Sequence, residues 1–371
     1  MKMQISKREL LQGIQYVQGV VEKRNTMPIL SHILIRAEKD KVSFFATDLE
    51  MSMINTRPLQ DAQPGLATIS AKRLLDIVRE LPEDQVEITV ENPEIHWVSI
   101  RCGKSHFRIA GLPPLEFPAQ PRPDEETTLP LPAATLSELI RKTVFASGEN
   151  DTRYILNSTL VYVGNKLRFV AADGHRMALA EVPIPGGKED GVQVIVPKKA
   201  ILEIRKLLEE GAKDGKETTP IFSISKGHVI VRYGNTIFTS RIMEGTYPEY
   251  RKIIPVDNDH KIVVPKEELQ GALRRVALLA REKTNAVKFS VENGVLVLAA
   301  ESPEIGEATE AVSVSGDGEA LSAVFNAHSL LEILDAIDSK SAIFEFKDGM
   351  SPFILRGETR DFLTVIMPLR N

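Results

Sequence analysis

The sequence predicts an α+β protein of three similar domains, each an antiparallel sheet with two helices laid on one face. Three observations carry this. A strand–helix–strand–strand pattern returns three times along the 371 residues. Its strands are short β-branched or aromatic runs, with turn residues between them. Its helices carry apolar residues at helical spacing on one side, so each needs an apolar surface to lie against, which a half-buried sheet supplies.

The first copy reads "MQIS", then "KRELLQGIQYVQGVV", then "HILIRAEKDKVSFFATDLEMSM", ending at Met53. Leu10, Ile14, Val17 and Val21 form the stripe of its helix. The second copy opens at Leu129 with "LPLPAATLSELIRKTVFA" and continues as "LVYVGNKLRFVAADGHRMALA". The third opens at Lys261 with "KIVVPKEELQGALRRVALLA" and continues as "VKFSVENGVLVLAAESPEIGEATE". A second half follows each: "ATISAKRLLDIVREL", "VIVPKKAILEIRKLLEE" and "AVFNAHSLLEILDAI", each trailed by further strands. Turn signals such as "ENG" and "KDG" fall between strands, as antiparallel hairpins require. Two Pro-containing connectors, Gly111–Pro132 and Glu244–Lys261, separate the copies, and the first, rich in Pro and acid, reads as an extended segment. Domains are therefore expected at 1–124, 125–254 and 255–371. Repeats of this length are domains and not turns of a short-period solenoid.

A chain of this length exceeds what one core holds. Its 43% hydrophobic and 26% charged content is ordinary for a soluble globular protein. No apolar run approaches the roughly 18 residues of a membrane span, and "MKMQISKREL" lacks a signal-peptide core. A cytoplasmic protein with no membrane partner is expected. The single Cys102 rules out an internal disulfide and fits a reducing compartment.

The formal net charge of -5 argues against a generally basic nucleic-acid binder, but the bases are unevenly distributed. The predicted helices hold Lys7 and Arg8; Lys72, Arg73 and Arg79; Arg141 and Lys142; Lys198, Lys199, Arg205 and Lys206; Lys266, Arg274, Arg275 and Arg281. Five of the six are net positive, and "NAHSLLEILDAID" is acidic. Either these are ordinary solvated faces, or repetition lines them along one surface and gives an acidic protein a basic lining for a phosphate backbone. Zinc-finger spacing, a helix-turn-helix signature and an aromatic RNP pattern are all missing, so such binding would be electrostatic and independent of base sequence.

Enzymatic motifs are weak. The seven histidines are scattered, and with one cysteine no zinc site assembles on spacing. "CGKS" resembles the end of a phosphate loop, but Val98 stands where its first Gly is needed. The string "ADGHRMA" could be drawn as an acid, base and anion clamp from Asp173, His175 and Arg176, or as a tight Asp-Gly turn between two strands. The first drawing makes the chain an enzyme; the second leaves it without chemistry of its own, and no cofactor or metal is expected.

The strings "TMPILSHILI", "ATDLEMSM", "ADGHRMA", "YPEYRKIIP", "FNAHSLLEIL" and "MPLR" together carry a resemblance. In them, and in their order, the chain resembles the bacterial DNA polymerase III β-subunit family, the sliding clamps, over essentially its whole length. The resemblance implies three similar clamp domains per chain, with two chains joined head to tail in a ring whose helices face a central hole. It implies a non-catalytic processivity factor that encircles duplex DNA without reading sequence. The implied partners are a clamp loader, the replicative DNA polymerase and other proteins carrying a short clamp-binding peptide. A scaffold that binds DNA or partners without closing a ring is the alternative on the same residues.

By position, the resemblance implies a peptide pocket from Leu156, Gly174, His175, Arg176 and Met177, with Pro248 and Ile253 of the second connector. Asn326, Met350 and the tail Val365, Ile366, Met367, Pro368, Leu369 and Arg370 complete it. Ala172, Lys252, Thr284 and Ser329 depart from the residues common in the family and alter the rim. DNA contacts are implied at Arg24, Arg73, Asn150, Tyr154, Lys198 and Lys199. The subunit contact is implied at Leu278, Leu279, Glu304, Glu307 and Glu310, meeting Lys104, His106 and Arg108 on an edge strand of the other chain.

Overall fold

The computed structural model describes residues 1–21, 27–60, 62–82, 85–90, 92, 94–122, 124, 127–213, 218–316 and 320–370. The first repeat runs β1 (Lys2–Ser6), α1 (Lys7–Val17), β2 (His32–Ala37), β3 (Lys41–Thr47), β4 (Met51–Pro58), β5 (Gly65–Ser70), α2 (Ala71–Glu80), β6 (Gln85–Thr89), β7 (Trp97–Cys102) and β8 (Ser105–Ala110). The second runs β9 (Thr127–Pro130), α3 (Ala133–Thr143), β10 (Ser158–Val163), β11 (Lys166–Ala172), β12 (Arg176–Pro183), β13 (Val192–Pro197), α4 (Lys198–Lys213), β14 (Ile221–Ser225), β15 (His228–Tyr233) and β16 (Thr236–Arg241). The third runs β17 (His260–Pro265), α5 (Lys266–Ala277), β18 (Ala286–Glu292), β19 (Val295–Ser302), β20 (Gly306–Ser313), β21 (Ser315–Gly316), β22 (Leu321–Asn326), α6 (Ala327–Ala336), β23 (Ser341–Phe346), β24 (Phe353–Arg356) and β25 (Phe362–Ile366). Apart from the short β21, the order is the same three times. The fold is α+β with three like repeats.

Local chemistry explains the elements. Ser6 caps α1 by accepting from the Glu9 amide at 3.2 Å, and Leu10, Ile14 and Val17 are its buried stripe. The helix expected to reach Val21 instead tightens into a 3₁₀ turn at Gln18–Val20. Asn326 caps α6 through the Ser329 amide at 2.9 Å. The β18–β19 hairpin turns on Asn293 and Gly294, both at positive φ (52° and 77°), as a tight two-residue turn needs. The connector read as extended contains one 3₁₀ turn, Pro114–Glu116.

Each repeat builds two four-strand modules. In the first these are β5-β2-β3-β4 and β1-β6-β7-β8. Two modules from different repeats then join edge to edge. β4 pairs β16, giving the eight-stranded sheet β5-β2-β3-β4-β16-β15-β14-β9. β12 pairs β25, giving the nine-stranded sheet β13-β10-β11-β12-β25-β24-β23-β17-β21. Two four-stranded sheets, β1-β6-β7-β8 and β20-β19-β18-β22, stay single. The chain accordingly divides into two compact units, Met1–Ser137 with Leu202–Ile242 and Glu138–Ile201 with Met243–Asn371.

Candidate functional site

The helix bases do not all reach solvent. Lys7, opening α1, donates to the carbonyls of Arg79 (3.1 Å) and Leu81 (2.5 Å) at the end of α2. Lys266, opening α5, does the same for Ile337 at the end of α6 (2.7 Å). Arg141 reaches the Asp335 carbonyl at 3.2 Å in that same helix end. These cations satisfy orphan helix carbonyls and complement the negative end of the dipole. Lys142 is buried against Glu138 and Asp338 at 2.6 and 2.9 Å. Burial would push its ammonium down, but the two carboxylates outweigh this and hold it up.

Among the residues expected at DNA, Arg73 is exposed on α2. Asn150, at φ 57°, and Tyr154, 61% exposed, stand at either end of one short loop. Lys198 directs its ammonium to the Ser147 carbonyl just before that loop at 3.0 Å, and Lys199 is exposed beside it. Arg24 lies outside the described residues.

The expected peptide pocket centres on the outward face of the nine-stranded sheet. Met177 and Val365 sit opposite each other on β12 and β25. They share an apolar cluster with Leu160, Val170, Ala172, Leu179, Ile195, Tyr247 and Ile354, and Ile253 packs against it. Burial raises the Tyr247 phenol well above its ordinary value, which keeps it neutral. The His175 carbonyl accepts from the Met367 amide at 2.9 Å, so the tail continues along β12. Leu369 donates to the Val324 carbonyl at 2.7 Å, and Pro368 is buried. His175, Pro248, Met350 and Arg370 are exposed, and Leu156 and Ile366 are buried. Gly174 has φ 89°, and a Cβ there would meet the Arg153 guanidinium at 2.7 Å. Hydrogen bonds from Arg153 hold the Asp151 carboxyl down at about 2.

Two of these residues do something other than line a surface. Arg176 is a hub: it bonds Asp173 (3.0 Å), Glu332 (2.7 Å) and the carbonyls of Phe145 (2.8 Å) and Ser329 (3.3 Å). Asn326 spends its side chain on the α6 cap and on the Thr284 carbonyl. The catalytic drawing of Asp173, His175 and Arg176 also dissolves. The Asp173 carboxylate accepts from the backbone amides of His175 and Arg176 and from the Arg176 side chain, which makes it a turn residue. Among the described residues, no group of three or more His, Cys, Asp or Glu is placed to hold a metal.

The residues expected from family position include Met177 and Val365 of this buried floor, but not Leu160, Val170, Leu179, Ile195, Tyr247 and Ile354, which complete it. The cue was available in "LVYV" and "MALA", which are apolar on both alternating faces where a half-solvated strand would alternate.

Two of the edge strands carry residues expected at the subunit contact. β8 ends one single sheet and exposes Lys104, His106 and Arg108 beside it. β20 ends the other and exposes Glu307, with Glu304 exposed just before it. Glu310 is already bound by Arg275 at 2.5 and 2.9 Å, an attachment that lowers its carboxyl. Leu278 is 77% exposed and Leu279 half-buried.

Comparison with known proteins agrees with this geometry along the whole chain. Residues 1–121 match the N-terminal domain of the DNA polymerase III β subunit, residues 130–249 its central domain and residues 251–370 its C-terminal domain. The β sliding clamp of Caulobacter vibrioides is 38% identical over 377 residues, covering all of both chains. That of Escherichia coli K12 is 33% identical over 373 residues with the same coverage. Among solved structures, the DNA polymerase III β subunit of Pseudomonas aeruginosa superposes with a TM-score of 0.93 at 33% identity, over 100% of both chains. The griselimycin-bound clamp of Bartonella birtlesii superposes with 0.94 at 32% identity and equal coverage. The chain belongs to the DNA polymerase III β-subunit family and functions as a DNA sliding clamp that tethers polymerase for processivity.

Proposed function

We propose that two copies of this chain close head to tail into a ring by pairing β20 of one with β8 of the other, and that the ring encircles duplex DNA. One observation carries this: a strand junction made twice within the chain has a third pair of edges unpaired. β4 pairs β16, and β12 pairs β25, each joining the last strand of one module to the last strand of the other kind. By position in the repeat, the third such pair is β20 with β8, and both are sheet edges. Carrying over the β4–β16 register, in which Ser52 faces Thr239, puts Glu307 opposite Arg108 of the second copy. Directly opposed unlike charges stabilise such a pair.

Three domains at 1–124, 125–254 and 255–371 would each present their helices to the hole. Arg73, Lys199 and the Asn150–Tyr154 loop would meet phosphates, with Lys198 bracing the chain at Ser147 just before that loop. Retention then rests on topology, with electrostatics adding a salt-sensitive component. The Met177–Val365 face, rimmed by His175, Pro248, Met350 and Met367, takes the clamp-binding peptide of the polymerase, the clamp loader and other partners. Large apolar side chains supply its affinity. Work in the reducing cytoplasm fits a chain whose one cysteine is Cys102, and no described helix is long and apolar enough to cross a membrane.

The test is retention on DNA. Protein loaded on a nicked circular plasmid should survive a wash in high salt and be lost once the plasmid is linearised. Loss from the circle itself would favour the scaffold that does not close. Glu307→Arg should weaken the dimer in sedimentation, and adding Arg108→Glu in the same chain should restore it. Failure of that rescue would overturn the proposed register.

A further inference from the structure

The eight-stranded sheet carries a groove of its own. It lies over β2, β3, β4 and β5 and is walled by the first connector. It has a cavity volume of about 380 Å³ and is lined by Leu34, Phe45, Ile54, Leu66, Leu115 and Phe117. The wall is held in place: Thr68 Oγ1 donates to the Leu112 carbonyl at 2.6 Å and accepts from its amide at 2.7 Å. Phe117 packs edge-to-face on Phe45 at 5.6 Å. Leu115, at the tip of the 3₁₀ turn, is 93% exposed. It also borders a second cavity of about 350 Å³, lined in part by Val90, Val98 and Leu112. A leucine exposed on a fixed turn between two cavities leaves apolar surface open on both sides of it.

The groove's position is that of the Met177–Val365 face in the repeat. Leu34 faces Phe45 on β2 and β3 as Leu160 faces Val170 on β10 and β11. Phe45 faces Ile54 as Val170 faces Leu179. Both connectors lay aromatic rings on the sheet, Phe117 here and Tyr247 with Tyr250 there. The charge differs. Arg36 stands exposed on the groove wall with no acidic partner among the described residues, and the neighbouring Lys41 is paired with Glu38 at 3.0 Å.

We infer that this groove is a second docking site, and that it takes a short extended peptide of a partner protein bearing adjacent large apolar side chains next to a carboxylate. The apolar side chains fill the cavity beside Leu34, Phe45 and Leu115, and the carboxylate meets Arg36. Part of the argument rests on the peptide reading of the Met177–Val365 face, so the test separates the two. The probe is a fluorescein-labelled peptide with a Leu-Phe pair beside two aspartates, titrated by anisotropy into the full-length protein. The background is Met367→Asp, which blocks the other face. Saturable binding is expected, weakened about tenfold by Arg36→Glu and severalfold by Leu115→Asp. Both residues are exposed, so neither change should disturb folding, and thermal melts check this. Binding to the wild-type protein but not to Met367→Asp overturns the groove and leaves the other face standing. Binding to Met367→Asp that ignores Arg36→Glu also overturns it, as does no binding to either protein. Binding that responds to Arg36→Glu but is untouched by Met367→Asp supports the groove and counts against the other face.

Discussion

The eight-stranded and nine-stranded sheets follow one plan in one register, yet their outward faces differ. Ile54 faces Ile237 across the junction of the first as Leu179 faces Leu363 across that of the second. Inward, the two are alike: Phe44 and its counterpart Phe169 are both fully buried. Outward, Ser52 and Thr239 stand where Met177 and Val365 stand, and the hydrogen-bonded pair Ser43–Thr56 stands where Arg168–Glu181 stands. Thr47 occupies the place of Ala172 and spends its hydroxyl on the Met51 carbonyl. The inward face is fixed by the need to cover helices. The outward face is free to diverge, and that divergence makes one sheet's surface a continuous apolar cluster and places hydroxyl groups on the other.

The largest effect should come where the sheets agree. Phe44→Ala and Phe169→Ala should each cost about 3–5 kcal/mol in denaturant unfolding, because both leave a cavity under a helix-covered sheet. Gly13 of α1 sits so close to the Phe44 ring that an added Cβ would lie 2.4 Å from it, which shows how tightly that site is filled. A cost under about 1 kcal/mol for either phenylalanine would break the claim of a common inner face.

What the sequence made legible follows the same division. The repeats, the six helices and the hairpins are local, and their apolar spacing and turn residues announce them. The split of the second repeat between two sheets is not local. It depends on β4 finding β16 and β12 finding β25 across much more than a domain's length of chain (Asn55 and Thr236, which bond across the first junction, are 181 residues apart), and nothing in those strands marks the partner. The helix bases show a second limit. Lys7 and Lys266 carry the same charge as Arg73, and only the fold reveals that they cap helix ends while Arg73 faces solvent. At the candidate peptide face, rim residues such as His175 and Met367 came from family position. The floor was written in two-faced apolar strands, a pattern that says a strand is covered without saying by what.

An intermediate effect should separate the outward faces. Met177→Ser transplants the first sheet's residue into the second. It should destabilise the protein by about 2–4 kcal/mol and remove peptide binding at that face, since Met177 is 1% exposed within the apolar cluster. Ser52→Ala, at the matching position, should change stability by no more than about 1 kcal/mol. Unfolding curves with anisotropy titrations on both variants check this. Equal responses would mean that the two outward faces differ in appearance and not in energetics.

The smallest effect is a difference in pH response. Glu181 lies between Lys166 and Arg168, with Arg168 Nε at 2.7 Å and the Lys166 ammonium bonded to the other carboxylate oxygen. Burial alone would raise its carboxyl, but these two cations outweigh it and hold it below the ordinary 4.5. A carboxyl depressed in the folded state contributes stability above its unfolded value and loses it as pH falls through the folded value. Glu181→Gln should therefore cost about 1 kcal/mol at pH 7, and the gap to the wild type should close as the pH drops below 4.5. Thr56→Ala, which removes the neutral Ser43–Thr56 bond at the same place in the other sheet, should show a cost independent of pH over that range. Thermal unfolding of both variants and the wild type at pH 7 and at successive steps below 4.5 measures it. A Glu181→Gln deficit that persists unchanged into acid would mean the carboxylate's charge contributes nothing and its packing accounts for the whole cost.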